Sequence, residues 1–142
     1  MKNIFYYFLC LLFLVPACSS PADREKNEAA ENDIDAARSF IQAALKGQYS
    51  KARDFMLKDS ANEEHLDAVS RMHLSTAEKQ GLWDASINIH SRQLINDSTS
   101  IIVFSNSFHK ENKDTLKIVR VNGSWQVDFK YLFTQAMPEN IN

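Results

Sequence analysis

A two-residue turn near the carboxyl end constrains the fold of this chain more than any other feature. Asn122 and Gly123 lie between two mostly apolar segments, residues 116–121 and 125–129. A type I′ turn needs positive φ at both central residues, which Asn and Gly tolerate best. The sequence therefore predicts a β-hairpin with this pair at its tip.

The short loop also fixes which residues of the hairpin face one another. Val121 is expected opposite Ser124 and Arg120 opposite Trp125, and every second pair shares a face. One face is therefore mostly apolar, and it carries Leu116, Ile118, Arg120, Trp125, Val127 and Phe129. Helices earlier in the chain are the candidates for the layer that has to cover this face.

Two more strands are predicted before the hairpin. Ile87 and Ile89 alternate with polar residues, as in a half-buried strand. Residues 101–104 form a continuous apolar block rich in β-branched side chains. Such a block indicates a strand that is buried on both faces or lies at the centre of the sheet.

The preceding segment has helical periodicity. Apolar residues recur three and four apart across residues 34–45, with Asn32 or Asp33 as the N-cap and Gly47 as the stop. A second, shorter helix is expected to have Ser50 as its N-cap.

The apolar side of that second helix is expected to carry Ala52, Phe55 and Met56. A third helix is predicted within residues 58–80, and Gly81 is expected to end it. These patterns together predict an α+β domain in which N-terminal helices pack on one face of an antiparallel sheet of about four strands.

The amino end combines the features of a secretory signal with a cysteine that directly follows them. Lys2 is followed by an apolar run of 12 residues, 4–15, and then by Pro-Ala-Cys, which ends at Cys18. A basic start, a short apolar run and small residues before a cleavage point make a secretory signal. The run is shorter than the roughly 20 residues that span a bilayer. We therefore interpret residues 1–17 as a signal peptide and Cys18 as the lipidated residue; cleavage by the ordinary signal peptidase is the alternative.

Residues 18–32 are interpreted as the lipidated Cys and a flexible acidic tether, because residues 19–32 contain no large apolar side chain. Residues 33–142 then form the α+β domain. The expected location is the cell envelope of a Gram-negative bacterium, with the lipid in the outer membrane. Glu-rich segments after an acylated Cys resemble signals for surface export, whereas a plain linker would leave the domain in the periplasm.

The charge balance bears on the partners of the protein. The chain has 16 basic and 18 acidic side chains, and loss of Lys2 with the signal leaves a net charge of −3. This balance argues against nucleic acid as a partner. The expected partners are the membrane, through the lipid, and an envelope protein, a peptide or a small amphipathic ligand.

The order of these segments resembles a known superfamily. Its parts are Ala-Ala-Arg-Ser-Phe-Ile-Gln-Ala-Ala-Leu-Lys-Gly at 36–47, Tyr-Ser-Lys-Ala-Arg at 49–53 and Val-Asn-Gly-Ser-Trp-Gln-Val-Asp at 121–128. This arrangement is similar to the nuclear-transport-factor-2-like superfamily, and within it to small bacterial lipoprotein domains of unknown function. The resemblance implies a cone-shaped fold in which helices and a curved antiparallel sheet enclose a pocket. Ketosteroid-isomerase-like members use that pocket for catalysis, and other members bind proteins.

A non-catalytic binding or accessory module is the function that we expect, with no cofactor and no catalytic residue assigned. The sequence contains neither a Gly-rich phosphate loop nor a serine nucleophile motif. Asp128 falls on the hairpin face away from Trp125 and Val127, so it is expected to point away from the helices and to be a poor base. The alternative is a ketosteroid-isomerase-like or dehydratase-like enzyme that acts on a small amphipathic substrate in the pocket. A buried acid in the pocket would favour that alternative.

The four histidines do not make a metal-binding motif. His65 and His73 are too far apart in sequence for the i, i+4 spacing of a helical site. His90 and His109 lie on or beside predicted strands. We interpret all four as exposed or singly hydrogen-bonded, and no metal is expected.

Arg120 is the one charged residue on the apolar hairpin face. Its guanidinium can lie over the Trp125 indole at the sheet margin, with the head in water. The alternative is that the pair lines the mouth of the pocket, with Trp125 as an apolar wall and Arg120 as a donor fork for a carboxylate or phosphate. On that basis we assign Arg120 and Trp125 as candidate ligand-binding residues.

The lipoprotein interpretation predicts the outcome of a single substitution. Cys18→Ser should block maturation and leave the precursor with its apolar run attached, because signal removal in this class depends on the lipid. Immunoblotting of membrane and soluble fractions measures the size and location of the product. Normal processing of the variant and its release as a lipid-free protein would contradict the interpretation.

Overall fold

Helices occupy the first half of the described chain and strands occupy most of the second. The computed structural model describes residues 30–134. Its elements are α1 (Asp33–Leu45), α2 (Tyr49–Asp54), α3 (Ser60–Ser70), α4 (Thr76–Trp83), β1 (Ile87–Asn96), β2 (Thr99–Asn106), β3 (Asp114–Val121), β4 (Ser124–Asp128) and α5 (Tyr131–Thr134). This order confirms the predicted α+β class. The predicted signal peptide, Cys18 and most of the tether lie outside the described residues.

No helix within residues 30–134 combines the length and the apolar character needed to cross a bilayer.

The sheet is an antiparallel meander in which the four strands lie in sequence order. The β3–β4 hairpin has the predicted register, with Arg120 opposite Trp125 and Val121 opposite Ser124. The turn residues Asn122 and Gly123 have φ angles of 49° and 83°. Both central residues therefore adopt the conformation that the Asn-Gly sequence predicts.

Helix α1 begins and ends where its sequence predicts. The Asn32 side chain accepts a hydrogen bond from the Asp35 backbone N–H at 2.9 Å, which caps the amino end. Gly47 follows the helix with a φ of 67°, a conformation that ends many helices.

The apolar face of the hairpin is buried beneath α1. Phe40 packs on Phe129 with ring centroids 5.0 Å apart. Ala36 and Ala37 are fully buried, and their small side chains permit a close approach of the helix to the strands. The strand residues buried in this core include Leu116, Ile118 and Val127.

Helix α2 begins earlier and ends sooner than predicted. Its N-cap is Gln48 rather than Ser50, and the helix ends at Asp54. Phe55 and Met56 therefore do not lie on its apolar side, which corrects the prediction. The spacing of these residues suggested a helix because a short apolar cluster does not distinguish a helix from an extended segment.

The segment after α2 covers the outer edge of β4. The Leu57 N–H donates to the Val127 carbonyl at 2.9 Å, and the Val127 N–H donates to the Phe55 carbonyl at 2.8 Å. Met56 forms a parallel bridge with Val127. This pairing satisfies backbone groups that an edge strand would otherwise leave open to other chains.

The single third helix predicted within residues 58–80 is two helices, α3 and α4. Ser75 and Glu78 form a capping box that starts α4. Gly81 lies inside α4 instead of ending a helix, which corrects the prediction. It faces the Phe108 ring, and a Cβ at this position would collide with that ring.

An ion pair joins the start of α1 to the sheet. Arg92 Nε on β1 lies 2.7 Å from the Asp33 carboxylate, which is 1% exposed. Burial by itself raises the pKa of Asp33, but the Arg92 guanidinium and neighbouring polar groups outweigh it and hold that pKa below its usual value. The pair therefore stabilises the docking of α1 when Asp33 is ionised.

Strand β2 lies inside the sheet but is covered unevenly. Ile102 and Phe104 are buried, whereas Ile101 and Val103 are half-buried. The apolar block at residues 101–104 is thus a central strand, the second of the two predicted alternatives, and not one buried on both faces.

The turn geometry predicts a position-specific cost for a β-branched residue. Gly123→Val should lower the thermal midpoint by at least about 4 °C, because Val at positive φ is strained by roughly 1–3 kcal/mol. Ser124→Val introduces the same side chain one residue later, in a strand where Val is favourable, and serves as the control. Equal midpoints for the two variants, measured by circular dichroism, would contradict the turn assignment.

Candidate functional site

A cavity of about 390 Å³, which we call the inner cavity, lies between the helices and one end of the sheet. Helix α1 contributes Phe40 and Ala44 to its wall, and the sheet contributes Phe104 and Leu116. Most of the lining is apolar. Cavities of this volume and character are typical of small-molecule sites.

Three polar side chains, those of Asn106, His109 and Asp114, line one part of the inner cavity. The Asn106 Oδ1 accepts hydrogen bonds from the backbone N–H groups of Phe108 and His109, at 3.0 Å and 2.8 Å. These bonds shape the loop after β2 and hold His109 beside the cavity. Asp114 lies at the start of β3, opposite Phe104 of β2.

The carboxylate of Asp114 is placed in an unfavourable setting for its charge. Burial raises the pKa of Asp114 above its usual value, and the nearby charge of His109 opposes this only in part. Within residues 30–134, no hydrogen bond or ion pair engages the Asp114 side chain. The Asp114 carboxyl group can therefore form a hydrogen bond with a molecule in the cavity or exchange a proton with it.

A second cavity of about 370 Å³, the outer cavity, adjoins the first. Ala44, Tyr49 and Leu82 are among the residues that line both cavities. The outer cavity differs in its charge, because Lys46 and Lys79 lie on its wall. The two cavities together offer an apolar space with a carboxyl group on the wall of the inner cavity and two ammonium groups on the wall of the outer cavity.

Arg120 and Trp125 lie away from both cavities. The Arg120 guanidinium carbon is 5.9 Å from the centroid of the Trp125 ring. Its Nε donates a long hydrogen bond of 3.4 Å to the Gly123 carbonyl. Neither residue lines the inner or the outer cavity. Their assignment as ligand-binding residues stays a prediction. In the structure, the Arg120 guanidinium lies over the Trp125 ring at the margin of the sheet.

Asp128 is buried in a polar cluster, which corrects the expectation that it points away from the helices. Its Oδ1 accepts hydrogen bonds from Asn62 of α3 at 3.2 Å and from Lys130 at 2.8 Å. Lys117 lies 3.6 Å from the other oxygen. Asn62 at the amino end of α3 thus contacts Asp128 on the face that was expected to lie away from the helices. With its charge fully paired, Asp128 serves the structure, and it does not line the inner cavity.

The histidines occupy separate places. His65 stacks on Phe133 with ring centroids 4.2 Å apart, and His90 Nε2 lies 2.8 Å from the Ser105 hydroxyl oxygen. The part of the chain from 30 to 134 contains no group of three or more His, Cys, Asp or Glu side chains placed to hold a metal ion.

Sequence reasoning missed Asp114 and treated His109 as a solitary residue. Asp114 precedes the apolar alternation of its strand, so the hairpin pattern gave it no role. The sequence offers one unspecific signal, the short separation between His109 and Asp114 before a strand. Only the three-dimensional structure brings the pair to the wall of a cavity.

No protein-family model matches the sequence, and a comparison with curated proteins gives no match either.

The setting of Asp114 predicts that its charge destabilises the fold. Because its folded-state pKa is raised, the cost is present at neutral pH and disappears as the pH falls through that pKa. Asp114→Asn should therefore raise the free energy of unfolding at pH 7. The gain should shrink toward pH 4.

Urea denaturation of both proteins across this pH range measures the difference. Asp97→Asn replaces an exposed carboxylate in the β1–β2 turn and serves as the control, with little expected change. A stability gain that grows as the pH falls, or a loss at pH 7, would contradict the analysis.

Proposed function

We propose that this chain is a lipid-anchored envelope protein whose α+β domain holds a small amphipathic ligand in the inner cavity. The observation that carries this proposal is the mostly apolar cavity of about 390 Å³ with a polar group of Asn106, His109 and Asp114 at one side. An apolar ligand body gains free energy by leaving water, and the few polar side chains orient it.

The position of this cavity supports the proposed membership in the nuclear-transport-factor-2-like superfamily. In that superfamily, helices and a curved sheet enclose a cone-shaped pocket. Here α1 and the strands β2 and β3 contribute to the wall of one cavity. Fold alone would not select a function, so the proposal depends on the side chains in the cavity.

The proposed location depends on the amino-terminal sequence. The basic start, the apolar run of residues 4–15 and Cys18 support lipidation and an anchor in the outer membrane of a Gram-negative bacterium. Two or more acyl chains would hold the domain at the membrane, since one chain alone binds only marginally. The acidic segment up to residue 32 would act as the tether.

A ketosteroid-isomerase-like or dehydratase-like enzyme is the second candidate, and one observation favours it. The raised pKa of Asp114, caused mainly by burial, brings this carboxyl nearer to the range of a general acid or base. His109 is close enough for its charge to act on Asp114. Formation of a conjugated ketone from a β,γ-unsaturated ketone, lost in Asp114→Asn, would distinguish catalysis from binding alone.

A fluorescence titration tests the binding function. N-phenylnaphthylamine is a neutral apolar probe whose emission rises in apolar sites, and we expect it to bind the protein saturably. Ala44→Phe places a large side chain between the two cavities and should weaken binding roughly tenfold or more. Gln42→Phe introduces the same ring at an exposed position of α1 and should leave binding unchanged.

Thermal unfolding of both variants shows whether they are folded. Should Ala44→Phe not fold, the rise in the midpoint of the natural protein with probe concentration gives a second measurement of binding. Absence of saturable binding, or equal binding by the two variants, would overturn the proposal. Arg120→Ala belongs in the same titration: a loss of binding would place the ligand at Arg120 and Trp125 instead of in the cavity.

A further inference from the structure

The outer cavity carries positive charge directly beside the apolar inner cavity. Lys46 and Lys79 line it, and the Lys46 ammonium lies 5.5 Å from the centroid of the Trp83 ring. None of the ion pairs found within residues 30–134 includes either lysine. Two ammonium groups thus share one concave surface without a carboxylate partner.

Two carboxylates lie at α4, Glu78 within the helix and Asp84 directly after it, and both make hydrogen bonds elsewhere. Glu78 accepts hydrogen bonds from the Ser75 backbone N–H and hydroxyl at 2.8 Å and 2.7 Å. Asp84 accepts a hydrogen bond from Gln80 at 2.7 Å. Neither carboxylate lines the inner or the outer cavity. Both carboxylates keep their negative charge, but among the described residues only Lys46 and Lys79 place charged side chains on the wall of the outer cavity, and this wall favours an anion.

The inner cavity suits the apolar part of such a molecule. A volume of about 390 Å³ is on the order of a dozen groups the size of a water molecule, each of about 30 Å³. Ala44, Leu45, Tyr49, Met72, Leu74 and Leu82 line both cavities. A chain that starts at the lysines can therefore continue into the apolar interior along a shared wall.

We propose that the ligand is a single-chain anionic amphiphile, whose headgroup contacts Lys46 and Lys79 in the outer cavity and whose apolar chain lies in the inner cavity. This inference rests on the proposed binding function and names its ligand class. A carboxylate or a phosphate headgroup has the same complementarity to two ammonium groups. The apolar chain supplies most of the affinity, and the lysines select the sign of the headgroup charge.

The proposal makes affinity depend on both ends of the ligand. Each added methylene should tighten binding about fourfold until the inner cavity is filled. A headgroup of the wrong sign should weaken binding relative to an anion, and the difference should shrink at high salt because the lysines are close to solvent.

Competition against N-phenylnaphthylamine provides the test, with each competitor kept below its critical micelle concentration. The competitors share one chain length: dodecanoate, dodecyl phosphate, dodecanol and dodecyltrimethylammonium. We expect both anions to displace the probe at concentrations roughly five- to tenfold lower than the other two. A difference between the two anions would identify which headgroup the site prefers.

Matched variants assign the selectivity to the lysines. The double variant Lys46→Gln and Lys79→Gln should lose the preference for anions and keep its affinity for the neutral probe. Lys58→Gln with Lys110→Gln removes two exposed lysines that line neither cavity, and should retain the preference. Both pairs change the net charge equally, so a general effect of charge would appear in both.

The outcomes separate this inference from the proposed function. If the probe does not bind, the binding function itself fails. If the probe binds and the four competitors act equally, or the cation acts best, the binding function stands and the anionic ligand class is wrong. A preference for anions that survives in the Lys46 and Lys79 double variant would also overturn the inference, because another group would then have to recognise the headgroup.

Discussion

The packing of α1 on the inner face of the β3–β4 hairpin is the contact on which the rest of the structure depends. The chain has no cysteine after Cys18, so no disulfide can support the domain and apolar burial has to hold it. Phe40 lies at the middle of this contact, against Phe129. Burial of each large apolar side chain contributes about 1.5–3 kcal/mol. The hairpin register matters for the same reason, since a slip of one residue would turn the apolar set away from α1.

Polar contacts stabilise this core at two edges of the sheet, whereas the end near α4 is covered by few buried side chains. Beside β4, Asn62 donates to Asp128 and accepts from the Lys130 backbone N–H at 2.7 Å. At the other edge, Arg92 holds Asp33 and with it the start of α1. Helix α4, which contributes to the walls of both cavities, has no buried residue. The cavities therefore lie where the covering layer is held by the fewest buried groups, and such regions are where binding sites are commonly found.

Local rules explain which parts of this fold could be predicted. The Asn122–Gly123 turn and helix α1 were predictable because their signals lie within a few residues. The division between α3 and α4 was equally visible as Ser75-x-x-Glu78, but the thin apolar stripe across it suggested one helix. A pocket between helices and sheet was expected from the superfamily resemblance alone. Its lining was not predictable, because the wall combines residues from α1, the sheet and α4 that no local pattern relates. The pairing of residues 55–57 with β4 was not predicted, for the same reason.

Two aspartates show how function and structure can be separated in this molecule. The sequence analysis considered Asp128 as a possible base. In the structure, Lys130 and Lys117 neutralise its charge and Asn62 donates a hydrogen bond to it, as expected of a buried charge with a structural role. Within residues 30–134, Asp114 has no such partner, and its raised pKa means that the folded state bears a cost for its charge at neutral pH. A residue that costs stability while lining an apolar cavity is better explained by what enters the cavity than by the fold. Lys46 and Lys79, which have no ion-pair partner within residues 30–134 and line the adjoining outer cavity, extend the same argument to the proposed headgroup.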